Sequence, residues 1–226
     1  MRGAASRQLT VAAALLLFAA VLGLIVRGAP NGLDLSLSHA LALRRGTSPS
    51  WLVDAMWWVS WLTSSWRKFA LAALAGLLLG GVRWRAILPA LSVALGGTIA
   101  EVAKPLFGRV RPALDQLDPI ASAAYPSGHS ANAAALMVGI LCVAPSRWRG
   151  PLLSAAIFVA GLTGLSRVML AVHWPTDVLG GWAIGVASAL ILYVMTSTIL
   201  EGRLTDAAND DRRGGGAGRA TDGAGG

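Results

Sequence analysis

The chain has 226 residues, of which 55% are hydrophobic and only 13% charged, and its formal net charge is +8. Soluble domains average about 25% charged residues, so this composition argues against an ordinary soluble domain and favours an integral membrane protein. The positive charge does not indicate a nucleic-acid partner, because the arginines stand in short clusters between apolar segments, as membrane topology signals do.

Six apolar segments predict membrane-spanning helices, since about 20 residues cross the hydrocarbon as a helix. The first, residues 9–26, is long for the apolar part of a signal peptide, so we expect an uncleaved helix. Together the six segments predict an all-α membrane protein, with a six-span bundle in one domain, residues 1–201. The five later segments cover roughly 67–82, 86–103, 128–145, 151–170 and 177–199.

Two further segments are not spans. Residues 51–66 hold five tryptophans and are interrupted by Asp54, which predicts a helix lying at the membrane interface before the second span. Residues 202–226 are rich in Gly, Asp and Arg and cannot bury a core, so we expect a disordered cytoplasmic tail.

Arginine placement predicts the orientation of the bundle in the cell membrane. The positive-inside rule assigns the arginine-rich connections to the cytoplasm. The connections 28–66, 104–127 and about 167–177 then face outward, and the last two carry almost all of the reactive side chains. The arginines that mark the cytoplasmic side are Arg2, Arg7, Arg83, Arg85, Arg147 and Arg149.

The first reactive motif places Lys104, Arg109 and Arg111 within eight residues of each other, followed by Pro112. Such a cluster could simply mark a membrane interface. The positive-inside rule disfavours it on the outer face, however, so the cluster predicts an anionic partner.

The second motif, Pro126-Ser127-Gly128-His129, comes directly before an apolar helix. Ser127 is a natural N-cap, and the open backbone at Gly128 together with the helix dipole makes an anion site. His129 then stands in the first turn beside the bound anion. A capped helix start would explain this tetrapeptide equally well when it is taken alone.

The third motif runs from Ser166-Arg167 to His173 and Asp177, with Pro175 suited to the first position of a helix. A carboxylate on one imidazole nitrogen fixes the tautomer and leaves the other nitrogen free to attack. A single buried histidine is more often structural, but a His–Asp pair beside an arginine favours an activated nucleophile.

These three motifs together resemble the type 2 phosphatidic acid phosphatase superfamily. The family pattern is Lys-x6-Arg-Pro, Pro-Ser-Gly-His and Ser-Arg-x5-His-x3-Asp, and all three parts are present in order within residues 104–177. The resemblance covers about residues 50–200, including the six-helix layout of the membrane branch. One departure is Val110, where many relatives carry proline.

The resemblance implies a catalytic role for each motif residue. His173 would attack phosphorus and form a phosphohistidine, Asp177 would orient it, and His129 would protonate the leaving group and later activate water. Fixed cations and a helix terminus can supply the positioning and charge neutralisation that phosphoryl transfer needs, so no metal or other cofactor is expected. The phosphate-binding residues would be Lys104, Arg111, Ser127, Gly128 and Arg167.

The expected function is hydrolysis of a lipid phosphate or diphosphate at the outer membrane face, and the substrate and the surrounding lipids are the expected partners. A phosphotransferase with the same intermediate, a vanadate haloperoxidase, and a non-catalytic lipid-binding or transport protein are the alternatives. Six spans disfavour the soluble haloperoxidases. Charges at span ends disfavour a transporter. A zinc site built from two His and one Asp is disfavoured by the clustered cations. The sequence gives no indication of oligomeric state.

Overall fold

A computed structural model describes residues 2–80 and 84–217, and every regular element within these ranges is helical. The all-helical class predicted from the sequence is therefore confirmed. A short 3₁₀ turn, Trp84–Ile87, precedes the fifth helix. The α-helices, α1 to α8 in chain order, are Arg2–Val26, Gly32–Leu41, Ser50–Leu62, Arg67–Gly80, Leu88–Phe107, Gly128–Val143, Ser146–Met169 and Pro175–Ala217.

Four helical segments of the described chain are long and apolar enough to cross a membrane. The other two predicted spans form the shorter helices α4, with 14 residues, and α6, with 16 residues. Both fall below the roughly 20 residues of a full crossing, so the count of six spans stays a prediction. The four long segments are Gly3–Val26, Arg85–Phe107, Ser146–Met169 and Pro175–Ile199.

The connection 28–66 contains two helices where the sequence predicts one. The tryptophan-rich segment forms α3, and its Trp51 and Trp58 side chains are 69% and 52% exposed. The added helix is α2, which Asn31 caps by accepting a hydrogen bond from the Asp34 amide at 2.8 Å. The position of α3 at a membrane interface stays a prediction.

Helix α8 occupies the centre of the bundle and packs against α1, α2, α5, α6 and α7. Small residues allow the close approach of α5, α6 and α8. A Cβ atom added to Gly96 would lie 3.2 Å from the Ala135 Cβ and 3.5 Å from the Gly185 Cα. Even an alanine at Gly96 would therefore require a small shift of the neighbouring helix α6.

The helix termini bring all three motifs to one end of the bundle. Helices α5 and α7 end there, and α6 and α8 begin there. Gly108 ends α5 with φ +56°, a left-handed conformation that favours glycine, and thereby turns the chain into the first motif. Arg85, Arg147 and Arg149 lie at the opposite helix ends, as predicted, whereas Arg83 lies outside the described residues.

The predicted tail is only partly described. Helix α8 continues to Ala217, and the expected disordered cytoplasmic tail from residue 202 stays a prediction. Residues 218–226 lie outside the described residues, and the disorder expected there stays a prediction.

Candidate active site

A cavity of about 330 Å³ opens between α4, α5, α6 and the connection 108–127. Of the eight predicted site residues, five line it: Lys104, Arg111, Gly128, His129 and His173. The other lining residues are Ser64, Ser65, Lys68, Glu101, Ile120, Ser122 and Asn132. The structure therefore brings residues from all three motifs to one cavity.

His173 reaches this cavity because the chain reverses direction after α7. Ala171 adopts φ +59°, in the left-handed region that non-glycine residues seldom occupy. The amides of Val172 and His173 then both donate to the Arg167 carbonyl at 3.2 Å. Strained backbone of this kind is frequent at functional sites, where the surrounding packing maintains it.

The two ring nitrogens of His173 have different neighbours. Nδ1 lies 3.4 Å from Asp177 Oδ2, and Nε2 lies 3.3 Å from Arg111 Nη1. Because arginine can only donate, Nε2 carries a lone pair and Nδ1 carries the proton, which points to Asp177. The Nε2 lone pair is thus directed toward a cation that could hold a phosphoryl group.

Burial keeps His173 in its neutral form. Its side chain is 1% exposed, and desolvation lowers its pKa well below the ordinary value. The nearby charges of Arg111, Arg167 and Lys104 lower the pKa of His173 further. A neutral imidazole is the form that can act as a nucleophile.

Lys104 and Arg111 are buried cations held by the connection 108–127. Arg111 donates to the carbonyls of Val172 at 2.5 Å, Ser122 at 2.8 Å and Ala123 at 3.2 Å. Lys104 donates to Glu101 Oε1 at 2.7 Å and to the Ser122 hydroxyl at 3.2 Å. These bonds to the protein fix both cations before any substrate arrives.

The start of α6 forms the third side of the cavity. Ser127 is its N-cap, as predicted, and accepts a hydrogen bond from the Ser130 amide at 3.5 Å. A Cβ atom added to Gly128 would lie 3.0 Å from Glu101 Oε1, so glycine keeps the approach to the helix N-terminus open. His129 follows in the first turn and lines the cavity.

Ser127, Arg167 and Asp177 lie behind the cavity wall. Arg167 is fully buried and donates to Asp118 Oδ2 at 2.9 Å and to the Ser60 hydroxyl. Its Nε and Nη2 atoms have no hydrogen-bond partner. Unpaired buried donors on a guanidinium are costly, so they are suited to an anion that completes the site.

Several residues that line the cavity were not predicted from the sequence. Lys68, Glu101 and Asn132 line the cavity, and the buried Asn132 Oδ1 atom has no partner. Ser122 lies between the two motif cations. Sequence alone offers no signal for these residues, because each comes from a different element and belongs to no motif.

No group of three or more His, Cys, Asp and Glu side chains capable of holding a metal ion occurs in the described part of the chain. The zinc alternative, which the clustered cations already disfavour, would need His129, His173 and Asp177 together. Asp177 instead binds Arg109 and the Trp174 amide.

The sequence model of the PAP2 superfamily matches residues 85–201, which include all three motifs. The chain therefore belongs to this superfamily, as the motifs predict, and it is a phosphatase of the PAP2 type.

Similar proteins agree with this assignment. Phosphatidylglycerophosphatase B of Bacillus subtilis is 31% identical over 186 residues, which cover 76% of this chain and 87% of that protein. Lipid A 1-phosphatase of Porphyromonas gingivalis is 38% identical over 111 residues, covering 49% of this chain and 23% of that protein.

The fold agrees as well. The crystal structure of a transmembrane PAP2-type phosphatidylglycerolphosphate phosphatase from Bacillus subtilis superposes with a TM-score of 0.70 at 27% identity. The similarity covers 83% of this chain and 96% of that one. Together with the four long apolar helices, it indicates a membrane protein.

Proposed function

We propose that the protein hydrolyses a lipid phosphate or lipid diphosphate through a phosphohistidine formed on His173. The observation that carries this proposal is the pair of contacts on the His173 ring. Asp177 faces Nδ1 and Arg111 faces Nε2, so a lone pair points into a cation-lined cavity.

The reaction takes two steps. In the first, His173 Nε2 forms a bond to phosphorus while the bond to the lipid oxygen breaks, and His129 gives that oxygen its proton. Positive charge develops on the imidazole and is stabilised by Asp177. In the second, water attacks phosphorus, His129 takes the proton from the water, and the N–P bond breaks to release phosphate.

The cations neutralise the equatorial oxygens of the phosphoryl group during both steps. Lys104 and Arg111 line the cavity, and Arg167 supplies two unpaired donors behind it. The amide of Gly128 at the start of α6 adds a partial positive charge. An anionic phosphate beside His129 in turn favours its protonated form. These groups support a mechanism that needs no metal.

The substrate class follows from the relatives and the position of the site. Phosphatidylglycerophosphatase B and lipid A 1-phosphatase are named for lipid phosphates. The cavity lies at one end of an apolar bundle, where a lipid could keep its tail in the membrane and present its phosphate.

We further propose that the site faces outward in a six-span arrangement, with α4 and α6 completing the spans and α3 lying at the interface. At the site end several cations form ion pairs within the protein, so they have a structural role there apart from any topology signal. These ion pairs are Arg45–Asp115, Lys104–Glu101, Arg109–Asp34 and Arg167–Asp118. Arg85, Arg147 and Arg149 lie at the other end, which is the proposed cytoplasmic end.

Phosphate release by the purified protein tests the reaction. The panel holds phosphatidic acid, phosphatidylglycerol phosphate, a lipid A phosphate and a polyprenyl diphosphate, each with and without EDTA. Release from at least one lipid, unchanged by EDTA, is the expected result. Activity that disappears in EDTA and returns with Mg²⁺ or Zn²⁺ would overturn the metal-free mechanism. Transfer to added alcohols in place of water would identify a phosphotransferase.

Labelling of single cysteines tests the orientation. The native Cys142 is first replaced by alanine, and one cysteine is then placed at residue 115 and, in a second variant, at residue 148. A membrane-impermeant reagent added to intact cells should label residue 115 and not residue 148. Labelling of both positions from outside would contradict the six-span arrangement.

A further inference from the structure

A fully buried carboxylate lies next to the site although it belongs to none of the motifs. Asp34 stands in the first turn of α2, outside the residues 85–201 that match the family. Its Oδ1 atom accepts hydrogen bonds from the Thr176 amide at 3.0 Å and the Thr176 hydroxyl at 2.9 Å. Its Oδ2 atom accepts from Arg109 Nη2 at 2.5 Å.

Arg109 connects this carboxylate to the site. The side chain is 2% exposed, and its Nη1 atom donates to Asp177 Oδ1 and to the Thr176 hydroxyl, the latter at 2.7 Å. One guanidinium therefore joins two buried carboxylates, while the Thr176 hydroxyl accepts from Arg109 and donates to Asp34. Each polar group restricts the orientation of the next.

The result is that the two oxygens of Asp177 have separate partners. Oδ1 binds Arg109, whereas Oδ2 accepts from the Trp174 amide at 2.8 Å and faces His173 Nδ1 at 3.4 Å. Rotation of the carboxylate would break these contacts. Asp34 also neutralises part of the positive charge of Arg109. Arg109 therefore compensates less of the negative charge of Asp177, which then interacts more strongly with the imidazole of His173.

We propose that Asp34 is a positioning residue for the phosphatase reaction. Through Arg109 and Thr176 it holds the Asp177 carboxylate in the orientation and charge balance that His173 needs when it attacks phosphorus. This inference rests on the proposed function, since it takes His173 as the nucleophile. It gives α2 a part in the reaction although α2 contributes no residue to the cavity wall.

The test is Asp34→Asn, which keeps the shape of the side chain and removes its charge. With an aryl phosphate substrate we expect kcat to fall about 10–100-fold, the range for a misplaced catalytic group. The inhibition constant of inorganic phosphate should stay near its wild-type value, because the cations that line the cavity are untouched.

The pH profile separates this role from a merely structural one. Without Asp34 the charge of Arg109 is less balanced, which disfavours a protonated His173. The acid limb of kcat/KM should therefore move to lower pH in Asp34→Asn. Thr176→Val retains every charge but breaks the geometry, so it should lower kcat without moving that limb.

Ser38→Ala is the matched control. Ser38 lies on the same helix and is equally buried, and its hydroxyl has no partner in the structure. Activity should remain close to that of wild type, because the Ser38 hydroxyl makes no hydrogen bond to any residue of the site. Monodisperse elution in detergent shows which variants are folded.

The outcomes distinguish this proposal from the proposed function. If wild-type protein forms no phosphohistidine at position 173, both fail. If it does, and Asp34→Asn keeps the wild-type kcat and acid limb, the positioning role alone is overturned. Should Asp34→Asn not fold, Thr176→Val decides, and a wild-type kcat in that variant also overturns the role.

Discussion

Two regions of the same cavity differ sharply in how their charges are held. The deep wall consists of His173 and Arg111, with Asp177 behind His173. His173 is 1% exposed and Asp177 is 0% exposed. The rim consists of Lys68, Glu101, Ser64 and Ser65, and the Glu101 side chain is 61% exposed.

The difference lies in preorganisation. Each charged group of the deep wall has protein partners that fix its direction before substrate binds. Charges on the rim are screened by solvent, as for the Glu101 carboxylate, which stays largely exposed although it pairs with the buried Lys104. Changes to the deep wall should therefore lower kcat, while changes to the rim should mainly raise KM.

The largest effect is expected for His173→Ala, which removes the proposed nucleophile and should abolish turnover of every substrate. His129→Ala should cost about 10²–10⁴-fold on a lipid phosphate, the usual contribution of general acid catalysis, and less on an activated aryl phosphate. Rapid quench with ³²P-labelled aryl phosphate should trap acid-labile phosphoenzyme in His129→Ala and none in His173→Ala. The reverse pattern would mean that nucleophile and acid have been exchanged.

Next in size is Arg111→Met, which removes a proposed donor to the developing charge on phosphorus. The expected loss in kcat/KM is about 10²–10³-fold, as for other single donors to transition-state charge. Arg45→Met is the matched control, because Arg45 is an exposed arginine on the same end of the bundle, paired with Asp115. Equal losses in the two variants would show that the deep wall has no special role.

A smaller effect is expected from acid pH. Because burial lowers the pKa of His173, the folded protein keeps it neutral below pH 6.5. The value of kcat/KM should therefore stay constant as the pH falls through 6.5. It should fall about tenfold per pH unit only below the lowered pKa of His173. The measurement is kcat/KM against pH with two aryl phosphates whose own pKa values differ. If the pH of the acid limb differs between the two aryl phosphates, the group that titrates is the substrate phosphate and not His173.

The smallest effect is expected on the rim. Lys68→Gln should raise KM about 2–5-fold with little change in kcat, in line with the roughly 0.2–1 kcal/mol of a partly exposed charge pair. High ionic strength should remove this difference, whereas the loss in Arg111→Met should remain. A large fall in kcat for Lys68→Gln would place Lys68 with the deep wall.

Much of this arrangement could be predicted from the sequence, because it depends on local interactions. The N-cap at Ser127 and the start of α8 at Pro175 follow from backbone chemistry within a few residues. Apolar segment length predicted the helices, although α2 was missed and α4 and α6 are shorter than a full span. His173 was placed just before the start of α8 and Asp177 in its first turn, so their contact was also predictable.

The remaining features were decided by the tertiary structure. Asp34 meets Arg109 across 75 positions of the chain and Thr176 across 142. Lys68, Glu101 and Asn132 meet at the cavity because α4, α5 and α6 pack around it. The sequence shows Asp34 only as an isolated acid in a polar connection. Its full burial depends on helix packing, which brings three hydrogen-bond donors from Arg109 and Thr176 to it. No local sequence pattern encodes that packing.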